Sequence, residues 1–106
     1  MNYSFHPEAE IEFNEAVDYY ETCQAGLGLA FAKEVFSTVQ RILEHPHAWS
    51  RMSENTRRCL TNRFPFGVIY QIVDNEVVVL AVMQLNRRPN YWGERTGRAD
   101  DNEGKT

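Results

Sequence analysis

The sequence is poor in cysteine and lysine, and it contains no long apolar run. Its only cysteines, Cys23 and Cys59, form no CxxC motif. A disulfide framework or a zinc knuckle is therefore not expected. No stretch approaches the roughly 18–20 apolar residues of a membrane-spanning helix. The N-terminus has no basic region followed by an apolar one, so we expect no secretory signal and predict a cytoplasmic protein without membrane contact.

The composition is that of an ordinary folded domain. The chain has 106 residues, of which 42% are hydrophobic and 25% are charged. A chain of this length holds one domain, and we assign it to residues 1–96. Residues 97–106 have almost no apolar side chains, and we predict that they form a disordered acidic tail.

The net charge of −4 hides an asymmetry between the two halves of the chain. Residues 1–50 carry eight acidic side chains against Lys33 and Arg41, whereas residues 51–98 carry eight arginines, no lysine and four acidic side chains. Arginine favours planar, bidentate contacts with carboxylate or phosphate groups. Any surface for a negatively charged ligand is therefore expected in the second half.

Two segments have apolar residues at helical spacing and predict helices over residues 8–23 and 29–44. The apolar positions are Ala9, Phe13, Ala16, Val17 and Tyr20 in the first helix, and Phe31, Val35, Val39, Ile42 and Leu43 in the second. The opposite face of the first helix carries Glu8, Glu12, Glu15 and Asp18. Gly26 is expected to adopt a left-handed conformation and to stop the first helix. The two helices should form an antiparallel hairpin.

The remaining pattern predicts strands over residues 2–6, 57–63, 66–73 and 76–85, with residues 46–56 as an irregular loop. Asp74 and Asn75 form the turn of a hairpin. The order is β-α-α-β-β-β, which predicts an α+β fold with a helical hairpin on a small antiparallel sheet.

The last predicted strand is apolar on both faces. Alternation places Val77, Val79, Ala81 and Met83 on one face, and Val78, Leu80 and Val82 on the other. Because two helices cover only one face of a sheet, the second face should be covered by loops, by the C-terminal segment, by a second copy or by a partner.

Several segments, taken in order, resemble the RelE/ParE superfamily of toxins, and more closely its ParE and plasmid-stabilisation branch. The similarity spans residues 3–95. The segments that carry it are FHPEA (5–9), GLG (26–28), HP (45–46), RRCL (57–60), RFPFGVIY (63–70), VLAVM (79–83) and RRPNYWGER (87–95). One departure is Gln84, where the family often has a histidine; another is the scarcity of lysine, since RNases of the RelE branch have a lysine-rich cluster.

The resemblance implies a toxin of a bacterial type II toxin–antitoxin pair, with no cofactor and no metal. The ParE branch inhibits DNA gyrase, so a protein target is the first hypothesis. The alternatives are a RelE-like, ribosome-dependent mRNA endonuclease and a non-toxic homologue that only binds an antitoxin. In each case we expect a small, acidic antitoxin encoded next door, which covers the arginine-rich half and the two-sided apolar strand.

The candidate residues for RNA cleavage are Arg58, Arg63, Arg87, Arg88 and Tyr91. Arginines would stabilise an anionic transition state, but arginine is a poor base, and a tyrosine with a reference pKa near ~10 would need a strong shift. We interpret His6, His45 and His47 as structural, because two of them lie at predicted helix ends.

For antitoxin or target binding, we single out an arginine-rich set with one tryptophan. Its members are Arg57, Arg58, Arg63, Arg87, Arg88, Trp92 and Arg95. Arg57 and Arg58 are adjacent in a predicted strand and should point to opposite faces. Arg87 and Arg88 follow the last strand, where they could cluster with Arg63. Trp92 is expected to cap the open end of the core.

Overall fold

Two helices cover one face of a five-stranded sheet in the computed structural model, which describes residues 1–86 and 92–96. The elements in chain order are β1 (Asn2–Phe5), α1 (Pro7–Cys23), α2 (Leu27–Glu44), β2 (Ser50–Arg51), β3 (Thr56–Leu60), β4 (Phe66–Val73), β5 (Glu76–Gln84) and a 3-10 helix (Gly93–Arg95). None of the described helices has the length and apolar character to cross a membrane. The predicted tail, 97–106, lies outside the described residues.

The strand order is β1-β5-β4-β3-β2, and the predicted α+β class and element order are confirmed. The sheet is mixed, because β1 pairs with β5 in parallel while the other three pairs are antiparallel. The prediction of an all-antiparallel sheet was therefore wrong for β1, since alternation within a strand does not reveal the direction of its partner. The predicted loop 46–56 also contains β2, whose two residues are both exposed and show no apolar alternation.

The helical hairpin turns at Gly26, which has the left-handed φ of +87°. Gly26 serves as the N-cap of α2, so this helix begins at Leu27, earlier than predicted. The Glu21 carboxylate accepts hydrogen bonds from the backbone N–H groups of Gly26 and Gly28 at 3.0 Å. A Cβ on Gly28 would lie only 2.7 Å from the carbonyl oxygen of Val17, so glycine is needed where the two helices meet.

The core lies between the helices and the sheet, as predicted. Its fully buried side chains include Phe31, Val35, Val39, Ile42, Val68, Tyr70, Val77 and Val79. Tyr70 donates a hydrogen bond from its hydroxyl to the carbonyl oxygen of Pro46 at 2.5 Å, so the buried phenol is satisfied. The predicted turn is also present, because Asp74 and Asn75 both have positive φ, which is typical of a type I′ hairpin turn.

A β-bulge at Leu80 changes which residues of β5 face the helices. Ile69 of β4 pairs with Ala81 and Tyr70 pairs with Val79, so Leu80 is an extra residue on β5. Val82 consequently packs in the helix-side core, whereas Ala81 and Met83 pack on the other face with Leu80. The strict alternation predicted from the sequence was wrong beyond Leu80, because a bulge shifts the period by one residue.

Candidate interaction surface

The sheet face opposite the helices, here called the open face, is apolar at its centre. Ile69, Leu80, Ala81 and Met83 are buried there. Trp92, which is 3% exposed, packs against them, together with the partly buried Met52. Of the covers predicted for the second face, the described part of the chain thus provides both a loop and the C-terminal segment.

Arg58 lies flat across the open face. It pairs with Ile69 through β3 and β4, and a Cβ added to Gly67 would lie 3.1 Å from Cγ and from Cδ of Arg58. Gly67 therefore leaves the space in which the arginine stem runs over the sheet. The Nε of Arg58 is buried and has no hydrogen-bond partner within residues 1–86 and 92–96. Among the described residues it is therefore a buried donor that is not satisfied.

Arg57 points to the other side of the sheet, which confirms that the two adjacent arginines face opposite ways. Its Nη1 donates to the carbonyl oxygen of Trp49 at 2.8 Å. It also lines a shallow pocket of about 160 Å³ near the phenol of Tyr70. Arg57 thus binds the loop that contains Trp49, and its side chain does not lie beside that of Arg58.

Arg63 is exposed in the loop between β3 and β4, where its guanidinium lies 5.2 Å from the centroid of the Phe64 ring. The N–H of Leu85 donates to the carbonyl oxygen of Pro65 at 2.9 Å, so the chain leaves β5 beside this loop. Arg87, Arg88 and Tyr91 fall outside the described residues. Their clustering with Arg63 stays a prediction.

Arg95 crosses from the 3-10 helix to the first helix. Its Nη1 lies 3.0 Å from Oε1 of Glu12 and donates to the carbonyl oxygen of Leu80 at 3.0 Å, while its Nη2 lies 3.3 Å from Glu8. The backbone N–H of Val82 also donates to Glu12 at 3.1 Å. The sequence placed Glu12 on the polar face of α1, yet its side chain is only 14% exposed. No pattern in the sequence distinguished Glu12 from the other glutamates of this helix.

The described titratable groups do not form an acid–base pair next to Arg58. His6 accepts a hydrogen bond at Nδ1 from the N–H of Glu8 and so caps α1, and His45 ends α2. His47 lines the pocket beside Arg57 and Tyr70. Burial raises the pKa of Tyr70 to about 12, which keeps this phenol protonated. In the described segments no three His, Cys, Asp or Glu side chains are arranged to hold a metal ion.

Gln84 is exposed at the end of β5 and faces α1. It lines a groove with Glu15, Tyr20 and Phe66. The position at which this sequence departs from the family pattern is therefore on the helix side of the sheet, away from Arg58 and the open face.

Comparisons with known proteins agree with this fold. Residues 3–89 match the family model described as ParE toxin of type II toxin-antitoxin system, parDE. A solved structure titled "Chromosomal ParDE TA system from P. aeruginosa" matches with a TM-score of 0.72 and 17% identity, over 81% of this chain and 97% of that chain. At this identity the structural match shows the shared fold alone, and no curated protein matches the sequence. Because the family match spans most of the chain, the protein belongs to the ParE toxin family and is a toxin of a type II toxin–antitoxin system.

Proposed function

We propose that this toxin arrests bacterial growth in the cytoplasm by binding DNA gyrase, and that a cognate antitoxin neutralises it. The single observation that carries the choice of a protein target is that the described residues place no acid–base pair beside Arg58. The centre of the open face is covered by Trp92, and the accessible part of this face includes Leu60, which is 45% exposed, beside the half-buried Arg58. An exposed apolar side chain beside an arginine is typical of a protein–protein contact.

The described residues of this surface do not provide all the groups that RNA cleavage without a metal requires. Such a reaction needs a base for the 2′-hydroxyl, an acid for the leaving oxygen and cations around the phosphate. Arg57, Arg58 and Arg63 point in different directions, and two of the histidines occupy helix ends. Binding a protein requires none of these proton transfers.

The antitoxin follows from the family, since a type II toxin acts together with a protein that neutralises it. We propose that it is a small protein encoded beside this chain. Part of the toxin surface must then be shared between the antitoxin and the target, or be occluded by the antitoxin, for neutralisation to occur.

The test is ATP-dependent supercoiling of relaxed plasmid by purified gyrase. Micromolar toxin should inhibit the reaction, and Arg58→Ala should weaken inhibition about tenfold or more, as expected for a central interface arginine. Arg51→Ala is the matched control, because Arg51 is exposed and donates to the carbonyl oxygen of Glu54, away from the open face. Full gyrase activity at micromolar wild-type toxin would refute the proposal. Discrete cleavage of an mRNA in a translation extract would replace it with the endonuclease.

A further inference from the structure

A small polar pocket lies at the end of the sheet where β3 begins and β4 ends. Its volume of about 160 Å³ is below the roughly 300–1,000 Å³ of pockets that enclose a drug-sized molecule. Among the described residues that line it, Ile72 alone has an aliphatic side chain, and Arg57, His47 and Glu54 bring ionisable groups. The pocket therefore suits a small polar group better than an apolar ligand.

Arg57 is the arginine of this pocket. Its Nη1 donates to the carbonyl oxygen of Trp49, and its other N–H groups form no hydrogen bond with the described residues. Burial raises the pKa of the Tyr70 phenol, and the charge of Arg57 lowers it by a smaller amount, so this charge is felt inside the pocket. The guanidinium is thus held by one nitrogen and keeps donors for an anion.

A second arginine lies beside the first. Arg51 of β2 pairs directly with Arg57 in the antiparallel register. Side chains of such a pair lie on the same face, with their Cβ atoms about 4.5–5.5 Å apart, and like charges at this spacing destabilise a sheet. Nη2 of Arg51 donates to the backbone carbonyl of Glu54, and neither arginine forms an ion pair with a described carboxylate. A bound anion relieves this repulsion.

The negative groups around the pocket do not balance the two arginines. Glu54 lines the pocket, but its carboxylate is exposed and forms no ion pair within the described residues. The carbonyl oxygen of Trp49 already accepts a hydrogen bond from Arg57. His47 lines the same pocket and adds a ring N–H donor. The balance of charge and donors therefore favours an anionic ligand.

We propose that this pocket binds a phosphate group, either as inorganic phosphate or as the phosphate of a small ester. The N–H groups of Arg57 that remain available and the ring of His47 donate to the phosphate oxygens, and Arg51 adds charge from the neighbouring strand. Phosphate fits better than a carboxylate, because a phosphate monoester carries a charge of about −1.5 to −2 at pH 7. Arg57 and Arg58 face opposite sides of the sheet, so this site is separate from the open face and does not depend on the proposed function.

Titration of the full-length protein with inorganic phosphate, followed by NMR, tests the site. The ionic strength is held constant with sodium chloride. The backbone amides of Asn55, Thr56 and Arg57 should shift along one saturable curve, with a Kd of about 1 mM or lower. Acetate, which carries a single charge, should bind about tenfold more weakly or less.

Matched substitutions test which side chains hold the anion. Arg57→Gln should weaken phosphate binding about tenfold or more. Lys33→Gln removes the same charge at an exposed position of α2 outside the pocket, so binding should stay within about twofold of wild type. Circular dichroism confirms that each variant is folded.

Glu54→Gln changes phosphate binding in the opposite direction. It removes the carboxylate from the pocket lining, so binding should become about threefold tighter. Because Glu54 is exposed, this variant keeps the test decisive even if Arg57→Gln fails to fold.

Adenosine 5′-monophosphate distinguishes the two sources of the phosphate. Binding within about tenfold of inorganic phosphate supports a site for the phosphate group alone, whereas much tighter binding that Arg57→Gln abolishes supports a nucleotide phosphate. Three results overturn the proposal: no saturable shift of the three amides at millimolar phosphate, acetate binding as tight as phosphate binding, or unchanged phosphate binding in both Arg57→Gln and Glu54→Gln. None of these results bears on the inhibition of gyrase.

Discussion

Nη1 of Arg95 lies 3.0 Å from Oε1 of Glu12, and this contact joins the C-terminal 3-10 helix to the first helix across the edge of β5. Strand β1 ends at Phe5, so no strand of the described residues lies beside the edge of β5 beyond Val79. At this edge two side chains form hydrogen bonds with the backbone of β5. Arg95 donates to the carbonyl oxygen of Leu80, and Glu12 accepts from the N–H of Val82. The pair thus satisfies backbone groups that the sheet leaves open.

Glu12→Ala should lower the free energy of unfolding by about 2–4 kcal/mol, because it removes the shorter of the two ion pairs of Arg95 and the hydrogen-bond acceptor of the Val82 N–H. Glu8→Ala is the control. Glu8 contacts the same guanidinium but is 64% exposed, so its loss should cost under about 1 kcal/mol. Urea unfolding followed by circular dichroism measures both, and equal effects of the two substitutions would contradict this description of the contact.

Trp92→Ala should destabilise the protein by about 3–5 kcal/mol, since it removes a buried aromatic side chain from the open face. The same substitution uncovers Ile69, Leu80 and Met83. We therefore also expect stronger binding of a hydrophobic dye at a temperature where the variant is still folded. Unchanged stability and unchanged dye binding would show that the open face does not depend on this side chain.

Gly67→Ala should move Arg58 off the open face, because the added Cβ lies within 3.1 Å of the arginine stem. Inhibition of gyrase should fall to a similar extent as in Arg58→Ala. In a double-mutant cycle, adding Gly67→Ala to Arg58→Ala should cause little further loss, with a coupling of about 1 kcal/mol or more. Additive losses would indicate that Gly67 acts independently of Arg58.

The raised pKa of Tyr70 predicts that the stability of the protein depends on pH in the alkaline range. Its pKa is raised to about 12 by burial, against about 10 in the unfolded chain. The neutral phenol therefore stabilises the folded state below pH 10, and this contribution is lost as the pH rises from 10 to 12. Tyr70→Phe should be less stable by about 1–2 kcal/mol at pH 8, because the carbonyl of Pro46 loses its donor.

The stability difference between wild type and Tyr70→Phe should shrink as the pH rises from 10 to 12. Thermal melts of both proteins at matched pH values measure it. A difference that stays constant over this range would mean that the folded protein does not shift the pKa of this phenol.

Patterns of neighbouring residues in the sequence predicted much of the fold. Helical spacing located the helices, Asp74 and Asn75 located the turn, and adjacency in a strand placed Arg57 and Arg58 on opposite faces. The features that determine the candidate site depend on tertiary contacts. Neither the bulge at Leu80 nor the burial of Glu12 follows from spacing along the chain, because both depend on which strand or helix lies alongside.

The direction of β1 was missed for the same reason. Its four residues alternate in the way that a parallel or an antiparallel strand would, and its partner is separated from it by most of the chain. The contacts of the Phe36 ring with Phe5 and Phe13 also escaped the sequence analysis, since Phe36 lies outside the apolar set that defines the buried face of α2.

The central claim is that this toxin acts on a protein target. The most direct test measures plasmid topology and mRNA integrity in the same bacterial culture. The toxin is induced in growing bacteria, with and without the antitoxin, and plasmid superhelicity and mRNA integrity are measured from the same samples. We predict growth arrest with loss of negative supercoiling, intact mRNA, and recovery when the antitoxin is expressed. Unchanged plasmid topology together with discretely cleaved mRNA would contradict the account, and normal growth would identify a homologue that poisons nothing.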